Sequence, residues 1–321
     1  MIFSKQIEKI YSKTLFSRHD EDGTIFYFSH KDFEGLHCEP YQFKNQKDEI
    51  LRGAFYSYEG YKKDRLIVFD HGMGAGHKAY MKEIEMLARG GYKVFSYDHT
   101  GCTMSEGKCI RGFAGSLSDL DACISALRKE KEYMNIDISV VGHSWGAFST
   151  MNIPALHPDI RSIVAISGFV SVREMQKQVI SGPLALWRKT VFALEERENP
   201  EYVNFSADES LKGKKTLALI IHSDDDRTVS HKRHHLSLKE ALAGEKNVEF
   251  LSVSGKDHNP NYTAEAIAEK ARFFADLTAK KKAGALESDE QKSAFLSSYD
   301  WHKITEQDEK IWQKILSHLE K

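Results

Sequence analysis

Ile138-Ser139-Val140-Val141-Gly142-His143-Ser144-Trp145-Gly146 decides how this chain is read. A short branched run suited to a strand meets a serine flanked by glycines, and Phe148, Met151 and Ile153 continue at helical spacing. G-x-S-x-G between a strand and a helix is a nucleophile elbow. Its glycines relieve crowding in a strained turn, which lifts the serine hydroxyl above the strand end. The helix that begins there favours developing negative charge.

Working outward, the same rhythm recurs. Leu66–Phe69, Tyr92–Phe95, Ile163–Ile166, Leu217–Ile221 and Val248–Leu251 read as further short strands. Between them lie amphipathic stretches, such as the stripe of Leu117, Leu120, Ile124 and Leu127. Strand and helix in alternation predict an α/β fold with a mostly parallel sheet of about eight strands and helices on both faces. Thr24–Phe28 and Leu51–Tyr58 are expected as two antiparallel strands at its start.

The rhythm breaks once. Some 45 residues after Gly168 contain Leu184, Trp187, Val191 and Leu194 at helical spacing but no strand. The expected organisation is one domain, with a core over about 22–168 and 214–321 and a helical cap over about 169–213. Leaving the carboxyl end of a strand, such a cap is placed to roof Ser144, with Trp187 and Leu184 as expected substrate-binding residues. Near the end, Thr305 followed by Asp308 offers a helix start. Ile304, Ile311, Ile315 and Leu319 form a stripe expected to dock on the sheet.

A serine hydroxyl is a poor nucleophile without a base. In a fold of this kind an acid and a histidine follow the serine, each past a later strand. Leu217–Ile221 runs into Asp224, Asp225 and Asp226, and Val248–Val253 runs into His258. Thirty-two residues separate Asp226 from His258, enough for one helix and one strand. The three adjacent aspartates leave the identity of the acid open on residue type alone. The cluster His231, His234 and His235 lacks a spaced carboxylate or cysteine, so solvated helix histidines are expected and no metal.

His71-Gly72-Met73-Gly74, Asp98-His99-Thr100-Gly101 with Ser105-Glu106-Gly107, the elbow, the acid turn and the histidine turn stand in one order over roughly residues 50–260. In this the chain resembles the α/β-hydrolase superfamily, and within it the lysophospholipase-like esterases and serine aminopeptidase-like enzymes. The resemblance implies Ser144 as nucleophile, His258 as base, and Asp226 as acid through an H-x-x-x-D-x-x-V turn closed by Val229. It also implies an oxyanion hole from the amides of Met73 and Trp145. Ser223 and Cys102-Thr103-Met104 depart from the family pattern, as does the long C-terminal tail.

The expectation is a serine hydrolase cleaving carboxylic esters of small or medium acyl groups through an acyl-enzyme, with no cofactor. An amidase or aminopeptidase, or a thioesterase or acyltransferase, would use the same residues, and a non-catalytic binding protein is the alternative of another class. The partner expected is therefore a small-molecule ester or amide. Composition agrees: 321 residues with 45 Lys and Arg against 47 Asp and Glu, net charge −2, lack the basic surplus of a nucleic-acid protein. No run is long and apolar enough to span a membrane, and the charged start lacks a secretory stretch. With Cys38, Cys102, Cys109 and Cys123 expected as free thiols, a cytoplasmic location is expected.

Overall fold

The computed structural model describes residues 2–74 and 76–321. Its strands are β1 (His37–Lys44), β2 (Ile50–Ser57), β3 (Arg65–Asp70), β4 (Lys93–Tyr97), β5 (Asp137–His143), β6 (Ser162–Ile166), β7 (Leu217–Ser223) and β8 (Val248–Val253). They form one sheet in the order β1-β2-β4-β3-β5-β6-β7-β8. From β4 to β8 neighbours are parallel, and β2 runs antiparallel to both β1 and β4. The segments after β3, β5, β7 and β8 therefore leave from one edge, where an open α/β sheet binds its ligands.

The helices are α1 (Ile2–Leu15), α2 (Met81–Arg89), α3 (Gly115–Leu127), α4 (Trp145–Asn152), α5 (Val172–Val179), α6 (Arg188–Glu198), α7 (Ala207–Leu211), α8 (Ser237–Ala241), α9 (Ala264–Lys282), α10 (Asp289–Ser297), α11 (Trp301–Ile304) and α12 (Glu309–Glu320). Alternate strand residues face opposite ways. Leu66, Val68, Ile138 and Val140 pack with α1, α3 and α4, and the whole stripe Leu117, Leu120, Ile124 and Leu127 is buried there. Ile67, Phe69, Val141 and Val164 pack with α2 and α12. Ile311, Trp312, Ile315 and Leu319 are the buried face of α12. At ~1.5–3 kcal/mol for each fully buried large side chain, that face alone holds the last helix to the sheet.

Three local expectations are corrected. Thr24–Phe28 is not a strand, since its rings pack sideways: Phe26 lies 5.7 Å from Trp301, and Phe28 lies 4.8 Å from His302. The first strand is β1, whose mostly exposed side chains and Pro40 give no apolar alternation. Proline is tolerated there because β1 is an edge. The last helix starts at Asp308, whose side chain accepts from the amides of Lys310 and Ile311. Ile304 belongs instead to a small separate cluster with Phe273, Leu277, Leu286 and Phe295.

Between β6 and β7 the chain forms α5, a 3-10 stretch Gly182–Trp187, α6 and α7. Glu195 of α6 is fully buried and accepts from the Tyr11 hydroxyl of α1 at 2.6 Å and from the Phe113 amide at 2.9 and 3.0 Å. This carboxyl ties the insertion to α1 and to the start of α3, which draws it toward that face of the sheet.

Burial pushes the Glu195 carboxyl up to about 7, against the hydrogen bonds it accepts. Between the unfolded value of ~4.3 and that value, the folded chain holds a proton that the unfolded chain releases. The stability this group contributes is therefore fully present below ~4.3 and is lost as pH rises through about 7. Glu195→Gln should gain on wild type in urea unfolding as pH is raised from about 5 to about 8. A stability gap independent of pH would contradict this assignment.

Candidate active site

Ser144 sits at φ 55 and ψ −110, between the end of β5 and the first residue of α4. The strain has a visible cause. A Cβ at Gly146 would lie 2.1 Å from the Asp70 carbonyl oxygen, and one at Gly142 would lie 2.4 Å from that of Gly146. Helix α4 leaves β5 so closely against the end of β3 that only glycine fits on either side of the serine.

The side chains that follow β7 and β8 meet this serine. His258 Nε2 lies 2.8 Å from Ser144 Oγ, and His258 Nδ1 lies 2.8 Å from Asp226 Oδ2. Asp226 is buried, and its Oδ1 accepts from the amides of Thr228 and Val229 at 2.8 and 2.9 Å. Burial opposes its charge, but hydrogen bonds from His222 and His258 win and hold the carboxyl well below the usual range. His222 Nε2, 3.1 Å from Asp226 Oδ2, was not singled out by sequence reasoning. Its signal was position: it lies in the last two residues of β7, four residues before the acid.

The three consecutive aspartates separate by task. Asp225 Oδ1 accepts from the amides of Lys256 and Asp257 at 3.2 and 3.1 Å, shaping the turn that carries His258. Asp224 accepts from the Ser254 hydroxyl at 2.6 Å. Only Asp226 reaches the imidazole.

Met73 lines the same cleft as Ser144, and Trp145 opens α4 immediately after it. Among the described residues the amides of both are without an acceptor. The Tyr80 hydroxyl accepts from the Gly72 amide at 3.2 Å and lies 2.9 Å from His143 Nδ1. His143 Nε2 in turn lies 2.8 Å from the His258 carbonyl oxygen. Burial, then the neighbouring His258, push the His143 imidazole down to about 3, so it is neutral and bridges the hydroxyl and the carbonyl. The Met73 loop, the elbow and the histidine turn are thus joined by two side chains.

Beneath the elbow, the indole of Trp145 donates to the Phe113 carbonyl at 2.7 Å and packs 4.7 Å from the His99 ring. His99 lies 3.0 Å from Asp70 and 3.3 Å from Asp119. Burial works against its charge, yet the two carboxylates raise it to about 9.

A cleft of about 1030 Å³ opens over Ser144 and His258. Its walls are residues 17–27 on one side, and α9 with Trp301 to Thr305 on the other. No residue of 169–213 is among its lining, so Leu184 and Trp187, expected as substrate-binding residues, lie outside this cleft. Leu184 and Trp187 sit on a 3-10 stretch and Val191 and Leu194 on α6, so the expected stripe is not one helix; Leu184 is 48% exposed, and the Glu195 anchor holds the insertion to one side. His234 and His235 are buried rather than solvated, and the Ser252 hydroxyl sits 2.9 Å from His231 and 3.1 Å from His235. Among the described residues no group of three or more His, Cys, Asp or Glu side chains is placed to hold a metal ion.

Residues 61–202 match the serine aminopeptidase S33 family, a span that includes the elbow but neither Asp226 nor His258. A Pyrococcus furiosus esterase is similar in structure over 83% of this chain and 98% of its own, at TM-score 0.59 and 17% identity. Est1E from Butyrivibrio proteoclasticus is similar over 75% of this chain and all of its own, at 0.53 and 15%. An acylaminoacyl peptidase from Pyrococcus horikoshii is similar over 78% of this chain and 42% of its own, at 0.56 and 20%. No curated protein matches the chain in sequence. No helix among the described residues is long and apolar enough to cross a membrane.

Two outcomes follow from the geometry. Asp226→Asn should lower kcat on any turned-over substrate by roughly 10⁴, as loss of the orienting carboxylate does. Asp225→Asn should cost less than about tenfold, because an amide oxygen still accepts from the backbone; steady-state kinetics on both variants checks the ordering. Gly146→Ala should fail at the elbow, since its methyl would overlap the Asp70 carbonyl. The expected result is loss of several °C in Tm together with activity.

Proposed function

We propose that this chain, an α/β hydrolase by its fold, is a serine hydrolase that cleaves carboxylic esters of small or medium acyl groups. The observation that carries the reading is the relay from Ser144 to His258 to Asp226, with 2.8 Å at each step, opening onto a cleft. In this reading His258 takes the proton of Ser144 as the oxygen attacks the acyl carbonyl, and Asp226 stabilises the imidazolium. The new oxyanion lies against the amides of Met73 and Trp145, where one such donor is worth ~3 kcal/mol of barrier. His258 then protonates the departing alcohol, and water enters by the same route to release the acid.

The neutral His143 has a definite part in this cycle. It fixes the backbone of His258 while the His258 ring changes charge, so the imidazole gains and loses a proton without leaving Ser144. The buried apolar and aromatic side chains around the cleft, Ile304, Leu277 and Phe273 among them, suit an apolar substrate portion. The ester is favoured over the amide reading because no residue of the edge strands β1 and β8 lines the cleft, so no strand edge is offered to a peptide backbone.

Wild type should take up a fluorophosphonate probe and hydrolyse p-nitrophenyl esters in preference to aminoacyl-nitroanilides. Ser144→Ala should lose labelling entirely and kcat by roughly 10⁵–10⁶ while keeping its fold by circular dichroism. Labelling that persists in Ser144→Ala would remove this serine as nucleophile. A preference for the nitroanilides would move the activity to amides.

A further inference from the structure

Within the cleft one cation lies beside the reacting groups without an ion pair. Among the other charges that line it, Arg18 pairs with Asp20 at 2.9 Å and Lys281 with Asp22 at 2.6 Å, while Lys13 and Glu21 stand without an ion pair among the described residues. Lys270, on α9, lines the inner cleft beside Ser144, His258 and Asn259. Its Nζ donates to Asn259 Oδ1 at 2.8 Å and lies 5.0 Å from the centre of the Tyr262 ring. Among the described residues no carboxylate oxygen comes within 4.0 Å of it, and no second acceptor is in reach. An ammonium has three N–H donors, so two are unanswered.

The neighbouring acids do not supply the missing partner. Glu83 is buried, and burial raises its carboxyl, which favours the neutral form; one of its oxygens already accepts from Asn261 at 3.2 Å. Asp257 spends an oxygen on the Arg227 amide at 3.1 Å. Burial also lowers the Lys270 ammonium, against the opposing pull of Glu83 and Asp257. A half-buried ammonium with donors to spare favours a partner of opposite sign.

Position says which part of a substrate would bring that partner. The oxyanion is expected against Met73 and Trp145, and the alcohol leaves on the side of His258, which protonates it. Asn259 follows His258 directly and its Nδ2 lies 3.3 Å from His143 Nε2, so the wall that carries Lys270 adjoins the histidine turn from which the departing alcohol takes its proton.

We propose that Lys270 forms a subsite for an anionic group, a carboxylate or a phosphate, on the leaving-group portion of the ester. The inference rests on the serine hydrolase reading and deepens it by naming a substrate class: acyl esters of acidic alcohols or phenols, whose anion meets Lys270 while an apolar part lies along Phe274 and Leu277. Lys270 does not touch the reacting bond. It sets which substrates are held in line with it.

The test compares the acetate esters of 4-hydroxybenzoic acid, of its methyl ester, and of 4-hydroxyphenyl phosphate. Lys270→Gln and Lys270→Met should lower kcat/KM on the two anionic esters at least tenfold relative to the neutral methyl ester. Lys270→Arg should restore part of that ratio, and comparison of the two anions shows whether carboxylate or phosphate fits better. A measurement on wild type alone adds to this: 4-hydroxybenzoate should inhibit at least tenfold more tightly than its methyl ester. Equal losses on all three esters would assign Lys270 a structural role and overturn the subsite, as would unchanged ratios or equal inhibition. Those results leave hydrolysis of the neutral ester, and so the hydrolase reading, standing. Absence of turnover on every ester together with absence of fluorophosphonate labelling would overturn both.

Discussion

The closest approach in the molecule, the first turn of α4 against the end of β3, constrains everything around it. With the Asp70 and His71 carbonyls 2.1 and 2.7 Å from where a Gly146 side chain would begin, the helix is pressed onto the sheet at the one point where the chain reverses. Ser144 is left at positive φ, in a conformation that only the surrounding packing sustains. Local strain of this order, ~1–3 kcal/mol, must be held by neighbours that cannot yield. Trp145 supplies one, buried against His99, and the Ser149 hydroxyl bonded to Asp70 supplies another. The charged His99 between two buried carboxylates is thus part of the elbow's foundation, although it lies below the reacting surface.

The elements that place the reacting side chains and those that enclose them come from different parts of the chain. Strand ends of the parallel sheet place Ser144, Asp226 and His258. Enclosure falls to the N-terminal stretch 17–27 and to α9 and α11. The stretch is fastened by the Arg18 guanidinium, which donates to the carbonyls of Ser105 and Gly107 at 2.9 Å, and by bridging of His19 to Cys102. The sheet positions these three side chains, and the chain's two flanks form the walls of the cleft above them.

That division explains what was legible in the sequence. The elbow, the strand ends and the candidate acid and base were readable because each depends on a short local pattern: Gly142 and Gly146 around Ser144, or Asp226 just past Leu217–Ile221. Thr24–Phe28 imitated a strand because aromatic residues that pack into a groove have the composition of residues that pack on a sheet. β1 went unseen because an edge strand with Pro40 need not alternate. The cleft wall was illegible for a deeper reason. Phe26 and Trp301 are 275 positions apart, and no pattern near either announces the other. The apolar stripe around Trp187 drew attention to the insertion, when a single buried glutamate, Glu195, sends that insertion elsewhere.

The latch between Asp22 and Lys281 carries a consequence for biosynthesis. A ribosome delivers Ser144 and its elbow long before it delivers His258, Lys270 or α11. Until residues up to about 305 have emerged, the stretch 17–27 lacks part of its opposite wall. The cleft is therefore a late feature of synthesis: its two walls are drawn from the first thirty residues of the sequence and from residues 258–305, with the whole sheet between them.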